Sequence, residues 1–182
     1  MTNVEPQNLD SCVIAGGCFW CLDSSYMQFK GVTDVEVGYM GGHIDNPGYE
    51  AVCDGNTGHV EVAKVIFDED VVSAEIILDM FFTVHDPTTL NRQGADVGTQ
   101  YRSVIFYTNE NEKQEAQNVI AALQSAQVYD SPVVTTIEPL TQFYKAEEYH
   151  QDYYNNNKNQ PYCKMVIQPK IEKFEKLFKK RL

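Results

Sequence analysis

The stretch Cys12-Val13-Ile14-Ala15-Gly16-Gly17-Cys18-Phe19-Trp20-Cys21 decides how the chain is read. Its first four residues are a short apolar run that predicts a strand, and Phe19, Leu22, Tyr26 and Phe29 then recur at helical spacing up to Lys30-Gly31. Two glycines join strand to helix and allow the tight turn between them. Cys18 therefore stands at the mouth of a predicted helix, where exposed amides and the positive end of the helix dipole stabilise a thiolate. The single tryptophan of the chain follows two positions later, so that with Phe19 an aromatic pair adjoins the sulfur. A buried, inert thiol among core aromatics fits the same pattern. The motif by itself leaves both readings open.

Working outward, Val35, Val37 and Tyr39 alternate in a strand that runs into Gly41-Gly42, and residues 42–58 form a polar, Gly-rich loop that holds Tyr49. Residues 60–67 read as a strand. Ser73 caps a helix bearing Ile76, Ile77, Met80, Phe81 and Val84, and residues 104–107 give another strand. Between these last two, residues 85–102 form a second long polar loop with Gly94 and Gly98. Loops longer than about 12–15 residues are usually functional. Asn109 and Glu112 make a capping-box pattern ahead of Val119, Ile120 and Leu123, residues 133–137 read as a strand, and residues 146–154 as a short helix. Repeats and Pro/Ser-rich linkers are absent from the sequence. The expectation is one α+β domain over residues 1–182, a mixed central sheet flanked by helices with long functional loops.

With 182 residues, 43% hydrophobic and 22% charged, the chain can bury a core of its own. Met1-Thr2-Asn3-Val4-Glu5-Pro6 lacks the basic start and apolar run of a secretory signal, and no apolar stretch reaches membrane-spanning length. A soluble, cytoplasmic protein acting as a monomer is expected. The five cysteines are odd in number and irregularly spaced, which fits catalytic or redox use better than a disulfide framework. A net charge of −12 argues against nucleic-acid and anionic-membrane partners. Residues 170–182 are basic, but Ile171, Phe174, Leu177 and Phe178 follow helical spacing, so this end reads as a docked helix with a solvated lysine face.

Several residues carry chemistry. Cys18 and Cys21 form a C-x-x-C pair that suits a dithiol couple or half of a zinc site. The other half is missing, since the four histidines are scattered singly, and neither a metal nor another cofactor is expected. Glu147-x-x-His150 occurs once, without the second copy a di-iron helix pair requires. Glu61 sits in the run Val60-Glu61-Val62-Ala63. A carboxylate among apolar neighbours has a raised pKa and can serve as a general acid. Alternation alone, however, places Glu61 on the solvent face of its strand. Asp96, Gln100 and Tyr101 by themselves say only that residues 94–102 form a polar loop, and His150 reads as a hydrogen-bonded surface or core histidine.

In combination these segments resemble the A-type peptide methionine sulfoxide reductases. Gly16-Gly17-Cys18-Phe19-Trp20 is similar to that family's nucleophile motif, Gly58-His59-Val60-Glu61-Val62 to its acid motif, and residues 85–103, His-Asp-Pro-Thr-Thr-Leu-Asn-Arg-Gln-Gly-Ala-Asp-Val-Gly-Thr-Gln-Tyr-Arg-Ser, to its signature loop. Tyr144, residues 147–153 and Tyr162-Cys163 extend the resemblance, which runs from about residue 12 to 163.

The resemblance implies reduction of the S epimer of methionine sulfoxide, free or in proteins, as a repair of oxidative damage. Cys18 would attack the sulfoxide sulfur, Phe19 and Trp20 would hold the S-methyl group, and Glu61 would serve the sulfoxide oxygen with Tyr49 and Tyr101 as hydroxyl donors. Asp96 would help hold substrate, and His150 and Tyr153 would shape the rim. The resulting sulfenic acid would condense with a second thiol into a disulfide for thioredoxin to reduce. Cys163 matches the family's first recycling position and follows Gln160-Pro161-Tyr162, a candidate mobile loop; it is the favoured resolving thiol, with Cys21 as the alternative. Two departures stand out. Many family members have glycine at the position of Cys21, and residues 164–169 replace a Gly-rich tail with a run that reads as a strand ahead of the terminal helix.

Two other readings stay in view. One is a thioredoxin-like thiol-disulfide oxidoreductase, since a C-x-x-C opens a helix and Ser131-Pro132-Val133 offers a facing proline. Phe19-Trp20 between the cysteines departs from that pattern. The other is a peptide-binding module in which Cys18 is incidental.

Overall fold

In chain order the elements are β1 (Leu9–Ala15), α1 (Phe19–Tyr26), β2 (Val32–Met40), α2 (Tyr49–Cys53), β3 (Val60–Asp68), α3 (Ala74–Val84), β4 (Arg92–Gln93), β5 (Asp96–Val97), β6 (Val104–Tyr107), α4 (Glu110–Ser125), β7 (Thr136–Pro139), β8 (Tyr144–Lys145), α5 (Tyr153–Asn156) and α6 (Gln168–Phe178). This computed structural model describes residues 8–181. Residues 1–6, for which no secretory signal is expected, lie outside the described residues.

Six strands form a sheet in the order β7-β6-β1-β3-β2-β8. β6 and β7 run parallel and the other neighbours antiparallel, so the sheet is mixed and the fold is α+β. The period of two along each strand sorts its residues between two faces. One face carries Ile14, Val35, Ala63, Val65 and Phe67 and packs against Leu22, Tyr26, Ile77, Met80, Phe81 and Phe174 of the helices. The other carries Val13, Ala15, Met40, Val60, Val62, Val104 and Phe106 and is closed by Phe143. Helices are thus gathered mainly on one side.

Glu61 shares its face with Ala63 and Val65, which puts it on the helix-covered side. The solvent-facing position that alternation suggests is therefore wrong: Glu61 is buried. β3 is central in the sheet and α1 lies over its start, a cover that no pattern within the strand reveals.

Other expectations need correction. Residues 163–178 are helical throughout, with a π-helical turn at Cys163–Ile167 running into α6, so the strand expected at 164–169 does not form. The buried residues Cys163, Ile167, Ile171 and Phe174 recur at helical spacing, while Met165 is exposed. The π turn precedes Pro169, whose missing N–H and ring are incompatible with an ordinary α-helical interior. Leu177 is exposed despite its spacing with Phe174. The strand expected at 133–137 is shifted to Thr136–Pro139. The helix expected over 146–154 is broken into a 3₁₀ turn at Glu148–His150 and the short α5, with Asp152 between them in the left-handed region at φ 50°. Both long loops contain structure, α2 in the first and the β4–β5 hairpin in the second.

The cap of α4 forms with a twist. Asn109 accepts from the Glu112 amide at 3.0 Å, while the Glu112 carboxylate reaches back one residue further, to the Thr108 amide and hydroxyl at 2.6 and 2.8 Å. Asn109→Ala should therefore cost about 1 kcal/mol of stability, the usual scale for a lost N-cap, read as a lowered midpoint in chemical denaturation.

Candidate active site

Three features of the sheet bring the site together. β1 and β3 are antiparallel with Ile14 opposite Ala63, so the end of β1, where the chain turns into α1, lies beside the start of β3. Tyr39 pairs with Glu61 across β2 and β3. Gly16 and Gly17 fill the turn because a Cβ on Gly16 would come within 2.8 Å of His85, and one on Gly17, whose φ is +82°, within 2.6 Å of Gln93. The Gly17 amide also donates to the Tyr101 carbonyl at 3.1 Å, which ties the signature loop to the start of α1.

Cys18 is the N-cap of α1, with extended backbone and no side-chain capping bond. The first amide of the helix, that of Phe19, donates to the Glu61 carboxyl at 3.0 Å. The donor expected to stabilise a Cys18 thiolate is thus committed to Glu61. Burial and the adjacent Cys21 push the Cys18 thiol well above the usual cysteine range, which corrects the expectation of a ready thiolate. Burial pushes Glu61 up to about 8, opposed by the Phe19 amide and aided by Asp96. Glu61 is therefore a protonated carboxylic acid at neutral pH.

Cys18 and Glu61 open onto a cavity of about 470 Å³ also lined by Phe19, Trp20, Tyr49, Asp96, Tyr101, Tyr153 and Tyr162. Burial keeps Tyr49, Tyr101 and Tyr162 protonated as hydroxyl donors. Tyr162, to which the sequence assigned no role, donates to Asp96 at 2.7 Å and reaches the Cys18 thiol. Its position in the fold could not be read from Tyr162-Cys163, because that segment meets Asp96 only through tertiary packing.

Tyr153 stacks on Trp20 at 3.7 Å between ring centroids, an aromatic wall on one side of the cavity. His150 does not form the rim. It is fully buried behind the wall, where Nδ1 accepts from the Trp20 indole at 3.0 Å. That bond places the imidazole proton on Nε2, which faces Glu147 at 3.4 Å, and burial holds the ring in its neutral form. The segment carrying these residues is fastened twice: Gln151 exchanges bonds of 3.0 Å with both backbone groups of Val37, and the Asp152 amide donates to Asp23 at 3.0 Å.

Cys163 is also buried, inside the π-helical turn, and does not line the cavity. The thiol within hydrogen-bonding reach of Cys18 is Cys21. The histidine of the acid motif is structural: His59 accepts from the Gly42 amide at 3.1 Å and donates to the Ile44 carbonyl at 2.7 Å. Among the described residues no group of three or more His, Cys, Asp or Glu side chains is arranged to hold a metal. Pro132 is not among the residues lining the Cys18 cavity, so it does not face the C-x-x-C pair in the thioredoxin manner.

A family model described as peptide methionine sulfoxide reductase matches residues 10–182. The chain belongs to this family of oxidoreductases. Peptide methionine sulfoxide reductase MsrA of Chromobacterium violaceum is 49% identical over 170 residues, which cover 93% of this chain and 97% of that one. The crystal structure of Mxr1 from Saccharomyces cerevisiae in reduced form aligns with a TM-score of 0.80 at 34% identity, over 87% of this chain and 91% of that chain. Mxr1 in complex with Trx2 aligns with a TM-score of 0.57 at 25% identity, over 84% and 91% of the two chains. Family membership decides against the thioredoxin-like oxidoreductase.

The raised acid has a consequence for stability. Glu61 titrates near 4.5 in an unfolded chain and at about 8 when folded, so between these values the folded state binds the extra proton and stability falls as pH rises. Glu61→Gln removes this dependence. Its melting temperature relative to the parent should climb from about pH 5 to pH 8, measured by thermal unfolding across that range; a constant difference would show that Glu61 is not held protonated.

Proposed function

We propose that the chain reduces the S epimer of methionine sulfoxide, free or within peptides and proteins, to methionine. The observation that carries this reading is the meeting of the Cys18 sulfur and the protonated Glu61 carboxyl in one cavity walled by Phe19 and Trp20. The S-methyl group would rest on the aromatic wall, and the sulfoxide oxygen would accept from Glu61 with Tyr49, Tyr101 and Tyr162 around it. Asp96, held by the Tyr162 hydroxyl, would accept from a substrate backbone amide. As the Cys18 sulfur attacks, Glu61 gives its proton to the oxygen and recovers one from the thiol. The net change converts the Cys18 thiol and the sulfoxide into a Cys18 sulfenic acid and a thioether, which balances.

The favoured resolving thiol changes with the geometry. Cys163 is sealed in a helical turn, whereas Cys21 sits one turn from Cys18 on the same helix and within reach of its sulfur. Residues so spaced fall within the Cα separation a disulfide accepts, about 4.4–6.8 Å. We assign Cys21 as the thiol that condenses with the sulfenic acid to release water. The solved complex of Mxr1 with Trx2 supports thioredoxin as the reductant of this disulfide. The cell role we infer is repair of oxidised proteins in the cytoplasm.

The test is a dithiothreitol-driven assay on separated epimers of a methionine sulfoxide peptide. The S epimer should turn over and the R epimer should not, because a bound methyl and a bound oxygen leave one face of the sulfur toward Cys18. Equal rates would refute the reading. Cys18→Ser should abolish turnover with the fold retained, and Glu61→Gln should slow sulfenic acid formation by roughly 10²-fold, the scale of a lost general acid, in single-turnover quench experiments.

A further inference from the structure

Cys21 is buried on α1 beside the Cys18 cavity, and Lys170 of α6 extends to it, with Nζ 3.6 Å from the Cys21 sulfur. We propose that Lys170 is a positioning residue that holds Cys21 as the resolving thiolate, so that the sulfenic acid on Cys18 is captured from inside the fold. This rests on the assignment of Cys21 to the resolving step.

The placement follows from the helix. Cys163, Ile167, Ile171 and Phe174 dock the π turn and α6 into the core, and Lys170, next to Ile171, falls at the margin of that docked face. Lys170 lines a groove of about 790 Å³ with His85, Asp86, Gln93 and Lys173, and its Nζ meets Cys21. Neither Lys170 nor Cys21 lines the substrate cavity. The ammonium therefore serves the second thiol from outside the cavity that would hold the sulfoxide. An ammonium set against a buried sulfur stabilises negative charge there, since a neutral thiol does little to offset the cost of partly dehydrating the cation.

The groups whose charges bear on Cys21 are Cys18, Glu61, Asp96, Tyr162, Cys163 and Lys170, and the cation among them is Lys170. The hydrogen bond from Cys18 and then the Lys170 ammonium favour thiolate formation, while burial and Asp96 oppose it. Burial and the neighbouring Cys21 charge push Cys163 the other way, which leaves Cys21 the more acidic of the two candidate thiols.

In the resolving step the Cys21 thiolate attacks the Cys18 sulfur. The S–S bond forms, the Cys18 S–O bond breaks, and hydroxide leaves and takes a proton from solvent to become water. No oxidant is needed beyond the methionine sulfoxide already consumed. When a dithiol later reduces the disulfide, the same ammonium makes Cys21 the better leaving thiolate, so attack is directed to Cys18.

The experiment is a single turnover with one equivalent of S-epimer methionine sulfoxide peptide, followed between about pH 6 and pH 9 in the parent, Lys170→Met and Lys170→Arg. Sulfenic acid is trapped with dimedone, and the Cys18–Cys21 disulfide is quantified by peptide mass mapping. In Lys170→Met the disulfide step should slow about tenfold at neutral pH relative to the sulfenic acid step and recover as pH rises, as a loss of one pKa unit requires. Lys170→Arg should keep most of the parent rate. An unchanged disulfide rate and pH profile in Lys170→Met overturns the role of Lys170 while leaving Cys21 as resolver. A parent that forms no Cys18–Cys21 disulfide overturns the Cys21 assignment and the proposal with it. As a check independent of turnover, the Cys21 alkylation midpoint should lie higher in Cys18→Ser/Lys170→Met than in Cys18→Ser, and equal midpoints count against the proposal.

Discussion

The hydrogen bond from the Phe19 amide to the Glu61 carboxyl is the contact on which the site depends. It joins the first turn of α1 to the start of β3, and so fixes the Cys18 sulfur and the Glu61 carboxyl in one frame. It also decides their protonation. A helix N-terminus that might have served a thiolate serves a carboxyl group instead, and burial leaves both the Cys18 thiol and the Glu61 acid protonated. A site of this kind suits a substrate whose oxygen must be protonated as its sulfur is attacked.

The rest of the architecture holds that frame still. Gly16 and Gly17 are small because His85 and Gln93 crowd the turn, and His85 is itself fixed by the Phe81 carbonyl and the Ser103 hydroxyl. Burial holds His85 down at about 4, so it remains neutral and acts as a spacer. On the other side, Trp20 is held in place by His150 behind it and Tyr153 stacked upon it. These two come from a segment with little regular structure, which stays in place because Gln151 bonds to β2 like an added strand and Asp152 is tied to Asp23. Burial pushes Asp23 up to about 7, so this fastening, like Glu61, is set at a cost in stability that grows as pH rises.

The C-terminal helix contributes more than cover. Its π turn encloses Cys163, and its docked face brings Lys170 to Cys21. The two cysteines of the C-x-x-C pair thereby acquire different surroundings although they are one turn apart. Cys18 faces the cavity and an acid, and Cys21 faces a cation. That division matches a reaction in two stages, attack on a sulfoxide and then capture of the product.

Much of this was legible in the sequence. The strand-glycine-helix punctuation placed Cys18 at a helix start, the alternation of Val35, Val37 and Tyr39 gave β2, and the motif blocks together pointed to the family, because these signals are local and each residue's neighbours carry them. The orientation of Glu61 was not legible, since a strand of period two says which residues share a face but not which face a helix covers. The helical state of residues 164–169 was hidden because Met165, Val166 and Ile167 suit a strand by composition, and only the burial of Cys163 and Ile167 in one cluster with Phe19 and Cys21 of α1 selects a helix. The acidity of Cys18, Cys21 and Cys163 likewise depended on tertiary structure: apart from the local contact between Cys18 and Cys21, it is set by how far each sulfur is from water and which charge approaches it, and those distances are fixed by segments up to 149 residues apart in the chain.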